Sequence, residues 1–224
     1  TSSAITSVSA EEISSAPINE SVKYKIMTGA DYSTGNYGQA ETTKILYVPL
    51  IAKATYQNWT GKITVPWLRI TGPGAVVGGG DASVLQSSSS AVTTQEGLGD
   101  IIGALTYNFD FPAYQTSIDV TGKIKFPTAD SKKGLGTGET DYTFGTEFTK
   151  MFGKTNMSVG VSRKFVGSNS TFNLHNIWIA SLGAGYKLTP DIDSGFSYDW
   201  RQSSSSGTQP RDATIYINFK LPDN

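Results

Sequence analysis

Few side chains in this sequence have the type and spacing needed for covalent chemistry. The chain holds one histidine, His175, and no cysteine. Thiolate metal sites and disulfide frameworks are thereby excluded. A catalytic His175 would need an orienting carboxylate and a serine or paired aspartates within reach. Its neighbours are Asn173, Leu174 and Asn176, and no Asp-x-His arrangement occurs, so it reads as a solvated loop histidine. The stretch Gly134-Leu135-Gly136-Thr137-Gly138 resembles a phosphate cradle only in composition. A true phosphate loop lies between a strand and a helix and carries a lysine at fixed spacing. That context is missing, and a turn-rich external loop is expected instead. The reading therefore assigns no catalytic residue, no metal ligand and no cofactor.

What remains is a set of charges at alternating positions: Lys25, Asp31, Lys53, Lys62, Asp100, Asp119, Lys123, Glu147, Lys187, Asp199 and Arg201. The elements carrying them have a period of two. Over residues 114–126, Tyr114, Thr116, Ile118, Val120, Gly122, Ile124 and Phe126 alternate with Gln115, Ser117, Asp119, Thr121, Lys123 and Lys125. Such alternation makes a strand with one apolar and one polar face. The pattern recurs around Tyr24 and Ile26, Leu46 to Ala54, Trp59 to Trp67, Leu105 to Phe109, Tyr142 to Phe148, Met157 to Phe165, Trp178 to Tyr186, Phe196 to Trp200, and Ile215 to Leu221. About ten strands result; a further pair from residues 72–96 or from the N-terminal arm would make twelve. The expected fold is all-β, an antiparallel up-and-down barrel.

The connections alternate in length. Short turns are expected near Gln57-Asn58, residues 110–113, Gly153-Lys154 and Thr189-Pro190-Asp191. Longer Gly-, Ser-, Asn- and Thr-rich segments fall at 33–40, 72–96, 128–140, 168–176 and 203–211. In outer-membrane barrels the short turns face the periplasm and the long loops face outward. Residues 1–20 are read as a flexible periplasmic arm, the start of a mature exported protein, and residues 21–224 as the barrel. The segment 72–86 contains Val76, Val77, Val84 and Leu85, apolar residues expected at the external entrance.

Alternation alone does not say which face is outside: a soluble barrel buries its apolar face, and a membrane barrel turns it to lipid. Three features favour lipid. Aromatics stand at both ends of apolar faces, as in Trp59 and Trp67 or Trp178 and Tyr186. The polar faces are crowded with Gly, Ser and Thr. The apolar faces lack charges except near strand ends, as at Arg163. Charged residues are only 17% of the chain and the net charge is -1, so there is no basic footprint for nucleic acid. No apolar run reaches the length of about 18 residues that suggests a spanning helix, a test that a β-barrel escapes. Inward charges must be paired or wet, since an isolated one is very costly. They read as a salt-bridged filling of the lumen or as the lining of a narrow polar pathway. Pro49 and Pro66 fall on the inward face and break the ladder, as a local weak spot or as a gap for lateral exit.

One region carries a family likeness. Gly97-Leu98-Gly99-Asp100, followed by a strand ending Tyr107-Asn108-Phe109, resembles an element of the outer-membrane proteins named for the meta-pathway of phenol degradation. Lys125-Phe126-Pro127-Thr128-Ala129-Asp130, with Gly134 to Gly138 and Asp141-Tyr142, is similar to that family's second hallmark, with alanine where a glycine is expected after Pro-Thr. The likeness covers residues 97–167 well and the rest as barrel pattern. It implies a bacterial outer-membrane barrel, in contact with lipid and lipopolysaccharide, that passes hydrophobic or aromatic compounds. The expected function is a passive, monomeric uptake channel for such small solutes. The alternatives are a closed structural or surface-interaction barrel and a barrel-embedded hydrolase.

Overall fold

The computed structural model describes residues 21–35, 41–73, 91–167, 174–204 and 211–219, together with the backbone at 75–77 and 83–85. The expected N-terminal arm lies outside the described residues. The described elements are almost entirely strands: β1 (Lys23–Thr28), β2 (Asp31–Gly35), β3 (Thr43–Tyr56), β4 (Trp59–Gly72), β5 (Ala75–Val77), β6 (Ser83–Leu85), β7 (Thr93–Leu98), β8 (Ile101–Phe111), β9 (Thr116–Phe126), β10 (Asp141–Phe152), β11 (Thr155–Phe165), β12 (Ile177–Thr189), β13 (Ile192–Arg201) and β14 (Arg211–Phe219). Two single 3-10 turns, Pro112–Tyr114 and Ser131–Lys133, complete the described set. The strand expected to begin at Tyr114 begins at Thr116, because Pro112 starts that turn.

Twelve of these strands form one antiparallel sheet. β1 and β2 pair in succession with β3, and β7 and β8 in succession with β4, so the sheet has ten staves in sequence order. The extra pair foreseen in residues 72–96 exists as β5 and β6, but it is a separate hairpin and adds no stave. The short turns fall where expected, and Gln57, Gln115 and Gly153 take positive φ values of 50°, 48° and 62° in three of them. The sheet curls into a half-barrel. The sealed cylinder anticipated from the alternation is not seen: among the described residues the outer staves, β1/β2 and β14, share no ladder.

The distribution of polarity is inverted relative to a soluble domain. Among the described residues, the buried side chains include Asp100, Lys125, Asp141, Lys164, Arg201 and Asp212. Exposed ones include Ile26, Leu50, Ile63, Phe144, Val159, Leu182, Ile215 and Ile217. Buried polar residues are normally the exception. Here the concave face is polar and the convex face apolar, as the alternation requires. Two cations on the convex face lie near strand ends against aromatic rings: Arg163 stands 5.0 Å from the centroid of Trp178, and Lys150 stands 5.8 Å from that of Phe152.

Two staves, β1/β2 and β7/β8, are interrupted at one height, on either side of the continuous strands β3 and β4. Thr28 pairs with Leu50 and Asp31 with Tyr47, so the break at Gly29-Ala30 faces Pro49 and Val48. Pro49 pairs directly with Pro66. On the far side of β4, Thr64 pairs with Ile102 and Trp67 with Leu98, so Val65-Pro66 confront Gly99-Asp100-Ile101. Two residues facing three make a bulge.

Candidate functional site

That bulge turns Asp100 inward, where it is 0% exposed. Lys125, near the end of β9, reaches it from the next stave: Lys125 Nζ lies 3.1 Å from Asp100 Oδ2 and 3.2 Å from Asp141 Oδ2 at the start of β10. Lys164 on β11 approaches Asp141 Oδ2 at 3.3 Å. Two lysines thus balance two aspartates. The remaining bonding capacity is used locally. Ala129 N–H donates to Asp100 Oδ1 at 3.0 Å, Gly167 N–H to Asp141 Oδ1 at 3.0 Å, and Lys125 Nζ to Thr137 Oγ1 at 3.1 Å. Such pairing is what makes burial of four charges tolerable.

The long β9–β10 connection, 127–140, is tied to this cluster at both ends and does not project outward. Asp130 caps its 3-10 turn, accepting from Lys132 N–H at 3.0 Å. Leu135, Gly136 and Thr137 then turn back into the concave face and are buried. Leu135, 1% exposed, packs with Ile45 of β3, Leu68 and Ile70 of β4, and Ala129, with Tyr47 alongside. The external loop expected at Gly134 to Gly138 is therefore an inward-folded one. Two glycines are required by close approach. A Cβ on Gly136 would stand 2.8 Å from both carboxylate oxygens of Asp100. One on Gly99 would stand 2.7 Å from Leu68 Cδ1.

Of the eleven charges foreseen for the lumen, Asp100 alone enters this cluster. Lys25, Lys53 and Lys62 stand opposite one another in a row across β1, β3 and β4. Asp119 faces Glu147 across β9 and β10 and accepts from Asn108 Nδ2 at 2.6 Å, with Lys123 four residues further along β9. Lys187 pairs in register with Asp193. Asp199 faces Asp212, which Arg201 bridges at 2.5 Å. Asp31 lies on β2 opposite Tyr47. Lysines thus form one row on the first staves, whereas both signs of charge are interspersed on the later ones. Val76 pairs with Val84, Val77 lies opposite Ser83 and Leu85 opposite Ala75 in the β5–β6 hairpin, and their side chains lie outside the described residues. His175 is exposed, and its backbone N–H donates to Ser204 O at 3.0 Å.

Sequence reasoning overlooked Lys125, Asp141 and Lys164 as a unit, and Ile45, Leu68 and Ile70 as an inner apolar patch. The signal for the patch was present. Residues 45–48 are Ile-Leu-Tyr-Val and 67–70 are Trp-Leu-Arg-Ile, so alternation lapses there, as it does where both faces are covered.

A family model described as "Putative MetA-pathway of phenol degradation" matches residues 28–221. No curated protein matches the chain.

Proposed function

We propose, for a chain that belongs to this family associated with phenol degradation, a passive channel through the bacterial outer membrane for small hydrophobic or aromatic compounds. The observation that carries the reading is the inversion of polarity: an apolar convex face that only lipid covers without penalty, and a concave face of paired charges, hydroxyls and glycines. Hydrocarbon offers no partner to free backbone groups, so insertion requires the β1/β2 edge to find β14 and close the ladder. Lipid and lipopolysaccharide are then the surrounding partners, and a monomer suffices. Small apolar solutes cross by successive weak contacts and no bond is made or broken, so the channel needs no cofactor and is not an enzyme. The family name supports aromatic solutes as the class.

A closed structural barrel is the second reading. The observation favouring it is that Leu135 and the Asp100–Lys125–Asp141–Lys164 cluster fill the concave face at one level. The test is to reconstitute the folded protein in planar bilayers and record conductance, and to measure uptake of phenol and toluene by cells that make it. Conductance with solute uptake above that of cells lacking the protein is expected. A detergent-free soluble monomer, or folded protein that passes nothing, refutes the channel.

A further inference from the structure

Resting on the channel reading above, we infer that the interrupted staves form a lateral gate in the wall, that the 127–140 segment is its inner plug, and that small apolar solutes leave through it into the bilayer.

The wall is weakest along one line. Proline has no N–H, so Pro49 and Pro66, opposite each other, remove one donor toward the β1/β2 stave and one toward the β7/β8 stave. The staves on either side break at that height, at Gly29-Ala30 and at Gly99-Asp100. The two proline carbonyls accept from Thr28 Oγ1 at 3.0 Å and from Gly99 N–H at 2.9 Å. By contrast, the ladders between β3 and β4, from β8 through β12, and between β13 and β14 run without a register shift; the one shift in β12–β13 lies at Lys187/Thr189, by the short turn.

Behind this line lies the one cluster of buried apolar side chains on the described concave face: Ile45, Leu68, Ile70, Ala129 and Leu135. In front of it, on the convex face, Leu50 and Leu98 are exposed. Gly97 and Gly99 thin the wall between the two. A Cβ at Gly97 would meet Leu135 Cδ1 at 2.9 Å, so the plug touches the wall at this point. An apolar solute that displaces Leu135 keeps apolar contact from lumen to lipid and avoids the polar remainder of the concave face. The ion cluster anchors both ends of the segment, which leaves its centre as the part that moves aside.

The test uses disulfide locks, which are unambiguous because the chain has no cysteine of its own. Directly opposed strand residues have the Cα spacing a disulfide accepts. Thr28→Cys with Leu50→Cys, and Trp67→Cys with Leu98→Cys, pin the line at its two interrupted ladders; Val159→Cys with Leu182→Cys pins a distant one. The probe is N-phenyl-1-naphthylamine, taken up by intact Gram-negative cells whose lipopolysaccharide leaflet otherwise excludes it. Oxidation of either gate lock should lower uptake to that of cells without the protein, dithiothreitol should restore it, and the distant disulfide should have no effect. Leu135→Ala should raise uptake severalfold in the unlocked protein and do nothing in the oxidised lock. Unchanged uptake in both oxidised locks overturns the gate while leaving the channel standing. Wild-type uptake no greater than that of cells lacking the protein overturns the channel and the gate together.

Discussion

Replacing Lys125 with methionine tests the inner charge cluster. Lys125 is 6% exposed and lies 3.1 Å from a carboxylate of 0% exposure and 3.2 Å from one of 5%. Methionine keeps much of the volume and removes the cation. Asp141 retains Lys164 and the Gly167 N–H, whereas Asp100 retains only the Ala129 N–H. An uncompensated buried carboxylate is the expensive product, and breaking such a pair destabilises by about 3–5 kcal/mol. Asp100→Asn alone should cost less, because Lys125 keeps Asp141 as its counter-ion and the asparagine oxygen still accepts from Ala129. The double variant restores neutrality, so its loss should fall short of the sum by about 0.5–3 kcal/mol. Urea unfolding in detergent micelles, followed by tryptophan fluorescence, measures all four proteins. Lys125→Met within about 1 kcal/mol of wild type, well under the range for a broken buried pair, would refute the burial argument. Strict additivity would refute the pairing.

Other consequences follow from the same geometry. Leu182→Arg, in the middle of β12 on the convex face, should lower stability in bilayers by about 2–4 kcal/mol and change little when made near a strand end; equal effects at both depths would argue against lipid contact. Gly99→Val should reduce the folded yield, since its first side-chain carbon already meets Leu68 Cδ1 at 2.7 Å; heat-modifiable migration on a gel measures that yield. Arg201→Met should leave Asp212 buried without its cation and cost more stability than the pair Arg201→Met with Asp212→Asn, by the same urea assay.

The strands, their faces and the short turns were legible in the sequence, because a period of two is local: each residue's parity follows from its neighbour's. Ten staves follow from that pattern, and so does the polar concave face. The inner cluster was less legible. Lys125 sat on the polar side of its strand like any other lysine, and nothing local distinguishes it from Lys123 two residues earlier. Its partners Asp100, Asp141 and Lys164 come from three other strands, and only the stagger of the ladders puts them at one height. The inward fold of 127–140 is of the same kind. Its glycines announced a turn, but the apolar pocket that receives Leu135 is built by β3 and β4, far away in the chain. The two short segments that carried the family likeness, 97–100 with 125–138, proved to be neighbours in space: the first is the bulge that turns Asp100 inward, and the second is the loop that Asp100 holds. Composition and periodicity therefore determined which way each side chain points. Which of them meet was decided by strand register and by one bulge, since contacts between distant segments depend on how the whole sheet curls.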